Sequence, residues 1–257
     1  MSPIDLPRLR LGPRDVAAGF LHLIFPTPCE MCRSPLDLGR KSALCGRCWD
    51  ALERMPKQGC WRCGWPFPDE AAARGVERPL CARCREARDV FEVARAPLRY
   101  REGGIARQAI LLCKHGGRLG LLRHLAHLLA EEAPAYLAIR EWDALIPVPL
   151  HWVRRWRRGF NQAELLARAV GQRHGLPMLP RALIRVRPTP PQQGDAEARR
   201  RNVRDAFRAR QPKEVTGKRL LLVDDVFTTG ATANACATAL SHAGAAALGV
   251  LTLARVE

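Results

Sequence analysis

The run Leu220-Leu221-Leu222-Val223 constrains the fold more than any other stretch, because two carboxylates and a threonine-glycine turn follow it directly. Four consecutive apolar residues describe a strand buried on both faces, the pattern of a parallel sheet covered by helices. Asp224 and Asp225 stand at its carboxyl end. An ionised carboxylate buried without a partner is costly, so the pair belongs at an open sheet edge, meeting solvent, a cation or ligand hydroxyls. Thr228, Thr229, Gly230, Ala231 and Thr232 then supply hydroxyl donors, a glycine that permits close backbone approach, and the first turn of a helix through Cys236 and Leu240. Free amides and the positive end of the helix dipole converge there, which suits a phosphate. A sugar phosphate satisfies both halves. An apolar run ending in Asp-Asp also occurs in nucleotide-hydrolysing and receiver domains, but no G-x-x-x-x-G-K-[ST] is present, since Gly217-Lys218 is followed by Arg219. A purely structural acid pair is the other alternative.

The amino-terminal part is of a different kind. Cys29-Glu-Met-Cys32, Cys45-Gly-Arg-Cys48, Cys60-Trp-Arg-Cys63 and Cys81-Ala-Arg-Cys84 are four equal knuckles. Two C-x-x-C knuckles on tight turns can set four thiolates tetrahedrally around one zinc ion, with bonds of about 2.3 Å. Twelve residues separate the first two knuckles and seventeen the last two. Consecutive pairing therefore gives two structural Zn²⁺ ribbons, with interleaved pairing as the alternative. Four cysteines per site leave no position for water, so the expected metal is structural. Trp49, Trp61 and Trp65 interleave with the knuckles and read as this small module's substitute for a core. With Arg47, Arg62 and Arg83 nearby, a base-stacking surface is the other reading.

Charge and length bound the rest. The 257 residues, 47% apolar, suffice for one medium domain and a small one. Net charge is +17, and residues 151–210 alone hold fifteen Arg, no Lys and four acids, giving +11. That field attracts polyphosphate, nucleic acid or an acidic membrane surface; an arginine-rich genomic composition accounts equally well for exposed helix faces. No apolar run reaches the roughly eighteen residues of a membrane span. Val16 to Phe25 lacks a small-residue cleavage site and reads as a short amphipathic helix after a loose leader. The chain is therefore expected in the cytoplasm, where paired cysteines bind metal rather than each other.

Along the remaining chain, Val90 to Leu98 reads as an edge strand containing a proline. Helices follow with Ile105, Ala109, Leu112 and Cys113 on one face, and over Leu119 to Glu132 with Leu122, Leu125, Leu128 and Leu129 inward. Lys114-His115-Gly116-Gly117 lies between them; Lys114 is either a cation near the site or a surface lysine. Asp143 to Trp152 is a buried strand ended by Pro147 and Pro149, a stiff turn at a strand's carboxyl end where α/β sheets bind ligands. Arg154, Arg155, Arg157 and Arg158 come next and could clamp polyanion oxygens. Arg187 to Asp195 is a long proline- and glutamine-bearing loop leading into a short basic helix, and such loops are often lids. Thr232 to Ala243, stopped by Gly244, and the strand Ala246 to Leu253 complete the sheet. Cys113 and Cys236 read as buried thiols.

The segment RLLLVDDVFTTGAT resembles the ribose 5-phosphate loop of type I phosphoribosyltransferases. Together with the knuckles, IPVPLHWVRRWRRGFNQAELL and TPPQQGDAEARRRNV, it resembles the ComF family of ComFC- and GntX-like proteins over nearly the whole chain. The resemblance implies a mainly parallel α/β sheet with helices on both faces, preceded by a Cys-rich module. It divides the chain into a leader (1–24), a double zinc ribbon (25–88) and a phosphoribosyltransferase-like domain (89–257). It further implies that Asp224 and Asp225 hold the ribose hydroxyls of phosphoribosyl pyrophosphate, with Thr228, Thr229, Gly230, Ala231 and Thr232 around its 5-phosphate. Pro149, Leu150 and His151 become the pyrophosphate loop, Gln192 with Arg199, Arg200, Arg201 and Asn202 the segment that folds over substrate, and Mg²⁺ arrives with the substrate. Arg154, Arg158 and Arg199 would oppose charge on the leaving pyrophosphate. Between Gly194 and Arg199 the chain is shorter than the family pattern and lacks its leucine. The family implies a role in DNA uptake and natural transformation, with single-stranded DNA and uptake-machinery proteins as partners. Two alternatives stand beside a transferase: a non-catalytic single-stranded-DNA-binding protein retaining the ligand site for regulation, and a zinc-ribbon adaptor. No residue pattern specifies the acceptor.

Overall fold

The apolar runs become strands and the leucine-spaced runs become helices. A computed structural model describes residues 27–36, 42–67, 75–151, 155–156, 159–187 and 205–256. The elements are α1 (Gly46–Asp50), α2 (Ala82–Glu86), β1 (Val93–Arg95), β2 (Leu98–Tyr100), α3 (Ile105–Gly116), α4 (Leu119–Glu132), β3 (Ala144–Pro147), α5 (Gln162–His174), β4 (Leu183–Arg185), β5 (Phe207–Ala209), α6 (Pro212–Val215), β6 (Arg219–Phe227), α7 (Ala231–His242) and β7 (Ala247–Val256). The leader and the Val16 to Phe25 helix lie outside the described residues, as does the basic loop beyond Arg187. Among the described residues no helix is long and apolar enough to cross a membrane.

Strands pair in the order β1, β7, β6, β3, with β2 also on β7, and every pairing in this sheet is parallel. Leu220, Leu221, Leu222 and Val223 are all fully buried, as a strand covered on both faces requires. Burial of each such side chain is worth about 1.5–3 kcal/mol. Leu220 and Leu222 join Ile146, Cys236, Ala237 and Leu240 in the core under α7. On the opposite face Leu145 meets Gly171 of α5, and Leu221 and the Trp142 ring close over Gly249, where a side chain would come within 2.5 Å of the indole. α4 packs on α5. Helices thus cover both faces, the expected fold class.

Some boundaries differ from those read in the sequence. The edge strand around residues 90–98 is two short segments, because Pro97 cannot donate to the ladder. Val93 lies opposite Gly249 and Tyr100 opposite Val256. α3 continues through Lys114, His115 and Gly116 before Gly117 stops it at φ +61°, so Lys114 is helical. Its buried face is Ala106, Ala109, Ile110 and Cys113. The short antiparallel pair β4 and β5, flanking the loop beyond Arg187, had no clear period in the sequence.

Cα packing parts the chain between Asp50 and Ala51 into two compact units. The first holds the Cys29 to Cys48 knuckles and α1. The second holds the Cys60 to Cys84 knuckles together with the sheet, because Ala94 N donates to Arg62 O at 2.6 Å and Arg255 Nη1 to Cys63 O at 2.6 Å. The packing boundary therefore falls inside the cysteine-rich span of residues 25–88.

Candidate functional site

A cavity of about 660 Å³ opens because β6 outlasts its neighbour. β3 stops where Pro147 faces Val223, whereas β6 continues against β7 to the Phe227–Arg255 pair. The acids therefore lie within a paired strand, not beyond its end, and the missing β3 partner leaves their edge open. Val148, Pro149, Leu150, Asn161, Gln162, Thr228, Gly230 and Thr232 are among the lining residues, with both acids.

Successive strand side chains point to opposite faces, and the two carboxylates accordingly have different partners. Asp225 Oδ2 lies 2.8 Å from Lys114 Nζ, both side chains being mostly buried. Burial works against the charged ammonium, but Asp225, by charge and hydrogen bond, outweighs it and raises the Lys114 pKa. Lys114 is thus a mostly buried cation in the cavity lining, paired with Asp225. Asp224 accepts from Asp225 N at 2.8 Å. Burial first, and Asp225 second, push its carboxyl up to about 7, with Lys114 and Arg185 acting in the opposite sense. Arg185 is a cation that periodicity could not flag. It reaches the cavity from β4 and stacks over Phe207 at 5.3 Å.

The turn between β6 and α7 is tight. Gly230 caps α7 in the left-handed region, at φ +77° and ψ 0°. A methyl group there would meet the Phe227 ring at 2.8 Å and Arg83 Nη2 at 3.2 Å, so both conformation and space demand glycine. Ala231 N donates to Thr229 Oγ1 at 3.4 Å and Asn234 N to Gly230 O at 2.8 Å. Gly230 and Thr232 at this helix start both line the cavity, and the start of a helix carries the positive end of its dipole.

Across the cavity, Asn161 fixes the turn after β3. Its Nδ2 donates to Val148 O at 3.1 Å and its Oδ1 accepts from Ala163 N at 3.1 Å, capping α5. Pro149 and Leu150 line the cavity; His151 is buried and is not among the lining residues. Arg155 is tied to Glu164 at 2.6 Å. Arg154, Arg158, Gln192, Arg199 and Arg200 lie outside the described residues. Tyr100 and Arg185 join the lining with no local motif to mark them, and Asn161 and Gln162, which follow the arginine run in sequence, reach it from the start of α5.

The knuckles group consecutively. Cys29, Cys32, Cys45 and Cys48 form one cluster and Cys60, Cys63, Cys81 and Cys84 the other, with sulfurs within 4.8 Å of one another. Cys32 Sγ to Cys45 Sγ is 3.5 Å and Cys63 Sγ to Cys81 Sγ is 3.8 Å. A tetrahedron with zinc–sulfur bonds of about 2.3 Å has edges of about 3.8 Å, so both donor sets fit structural zinc. Trp65 packs on the second cluster as small-module core. Trp61 does not: it is exposed, with Arg78 stacked over it at 5.0 Å.

Residues 20–85 match the family model of a double zinc ribbon domain. The chain is 32% identical over 240 residues to "Competence protein F" of Haemophilus influenzae, covering 88% of this chain and 96% of that protein. It is 33% identical over 237 residues to "DNA utilization protein YhgH" of Escherichia coli K12, covering 91% and 99%. With "Competence protein ComFC" of Bacillus subtilis it shares 31% over 103 residues, 40% of each chain. Among solved structures, the glutamine phosphoribosylpyrophosphate amidotransferase from B. subtilis complexed with ADP and GMP matches with a TM-score of 0.34 and 26% identity, over 50% of this chain and 25% of that one.

Proposed function

The chain belongs to the ComF family, and from that premise we propose that the cavity beside β6 binds phosphoribosyl pyrophosphate together with Mg²⁺. One observation carries the reading: the acid pair Asp224 and Asp225 and the Gly230-capped start of α7 open into the same cavity. The carboxylates accept from the ribose hydroxyls, while Thr228, Thr229, Gly230, Ala231 and Thr232 take the 5-phosphate. Pro149, Leu150 and His151 form the diphosphate side, and Lys114 balances the acids. Gln192, Arg154, Arg158, Arg199 and Arg200 belong to the same polyanion site by sequence position. Mg²⁺, arriving with the substrate beside Asp224 and Asp225, would supply charge neutralisation for the polyanion.

In a transfer step the anomeric C–O bond to diphosphate breaks as a bond to an acceptor nucleophile forms, and pyrophosphate leaves with the electron pair. Asp224 and Asp225 then lie near developing positive charge on the sugar, and cationic groups face the leaving group. The test is thermal stability: Mg²⁺ with phosphoribosyl pyrophosphate should raise the melting temperature, and D224N with D225N should abolish the rise. Equal rises in wild type and variant would remove the reading.

The relatives' names, "Competence protein F" and "DNA utilization protein", support a role in competence and DNA utilization; the partners this reading proposes are single-stranded DNA and uptake-machinery proteins. The net charge of +17 and Trp156, 84% exposed next to Arg155, favour nucleic-acid contact. Single-strand affinity falling steeply with salt is the expected result; no binding at low salt would remove this role. Thiolate metal centres suit the cytoplasm.

A further inference from the structure

Two arginines join the second four-cysteine centre to the cradle. Arg83, in α2 between Cys81 and Cys84, donates from Nη2 to the carbonyl oxygen of Thr229. Arg255, buried near the end of β7, donates from Nη1 to Cys63 O at 2.6 Å, and its Nη2 lies 3.5 Å from Cys63 Sγ. The same guanidinium stacks on Trp65 at 5.2 Å and on Phe227 at 4.8 Å. Phe227 is the ring that abuts Gly230.

We propose that Arg83 is a positioning residue for the phosphate cradle, so that the Cys60–Cys63–Cys81–Cys84 centre sets how tightly the cavity holds a phosphate-bearing sugar. This rests on the phosphoribosyl reading of the cavity. In a trans peptide the C=O and N–H point in opposite directions. Holding the Thr229 carbonyl toward the ribbon keeps its lone pairs away from an incoming anion, and it leaves the N–H of Gly230 on the opposite side. Gly230 lines the cavity. A charge-assisted bond has the strength to hold that peptide against rotation. α2 is a five-residue helix with no side-chain cap, so the thiolates on either side of Arg83 decide where its guanidinium stands. Metal geometry is thereby transmitted to the cradle without any ribbon residue needing to touch the ligand.

The test uses the full, zinc-loaded chain, ribose 5-phosphate as probe, and titration calorimetry. R83M keeps an unbranched apolar stem but removes the donor and its charge; R83K restores a cationic donor; R85M removes the same charge from the exposed neighbouring position on α2. R83M should weaken binding by about tenfold or more, R83K should recover most of that, and R85M should bind like wild type. All should retain both zinc ions and a single cooperative unfolding transition. Amide hydrogen exchange provides a ligand-free readout: residues 229–233 should exchange faster in R83M and at the wild-type rate in R83K and R85M. Wild-type affinity and exchange in R83M, or equal losses in R83M and R85M, overturn the proposal while leaving the cavity's reading intact. Failure of the wild type itself to bind ribose 5-phosphate would overturn both.

Discussion

Asp224→Asn should make the protein more stable at alkaline pH while disabling its ligand site. The Asp224 carboxyl stands at about 7 in the folded chain against an ordinary value of 3.8, because burial and the neighbouring Asp225 both disfavour its charge. Each pKa unit corresponds to about 1.4 kcal/mol, so ionising Asp224 in the folded state is about 4 kcal/mol less favourable than in the unfolded chain. Between those two values the folded chain keeps a proton that the unfolded chain has released. Stability contributed by this group therefore falls as pH rises through the window, and the whole cost is present above pH 7.

Asparagine has no charge to ionise, and its Oδ1 can still accept from Asp225 N, which lies 2.8 Å from the present oxygen. The advantage of D224N over wild type should accordingly grow by about 3 kcal/mol between about pH 5 and about pH 8. Urea unfolding at several pH values measures it directly, provided the slope of free energy against urea is the same for both proteins. A wild-type-to-variant difference that stays flat over that range would refute the buried, charge-coupled carboxyl. The physical logic is a trade of stability for function: a carboxylate held in an unfavourable place is ready to accept hydroxyl hydrogens from a ligand.

Two further outcomes follow from the geometry. Gly230→Ala should cost roughly 1–2 kcal/mol of stability and weaken ribose 5-phosphate binding, since a left-handed φ of +77° and a 2.8 Å approach to Phe227 both oppose a side chain; wild-type values of both would contradict the cradle as described. Metal analysis should find two zinc ions per chain, and Cys60→Ser should remove one of them while the Cys29, Cys32, Cys45 and Cys48 centre stays loaded; loss of both together would show that the centres are not independent.

Local chemistry made much of this protein legible in its sequence. Four apolar residues before two acids specified a doubly covered parallel strand, leucine spacing placed α4 from Leu119 to Glu132, and equal cysteine knuckles implied two four-thiolate centres. Each of these depends on neighbours within a turn, a strand or a short loop. What residue order could not carry is which distant groups meet. Lys114 reaches Asp225 because α3 runs one turn longer than its glycines suggested, and Arg185 reaches the cavity on a short strand with no readable period. Arg83 and Arg255 meet the other unit of chemistry across 146 and 192 residues of chain. Such contacts depend on strand register and helix placement, which are settled by burying side chains from the whole second unit at once, so only the tertiary structure decided that a zinc knuckle and the Gly230 turn would share a hydrogen bond.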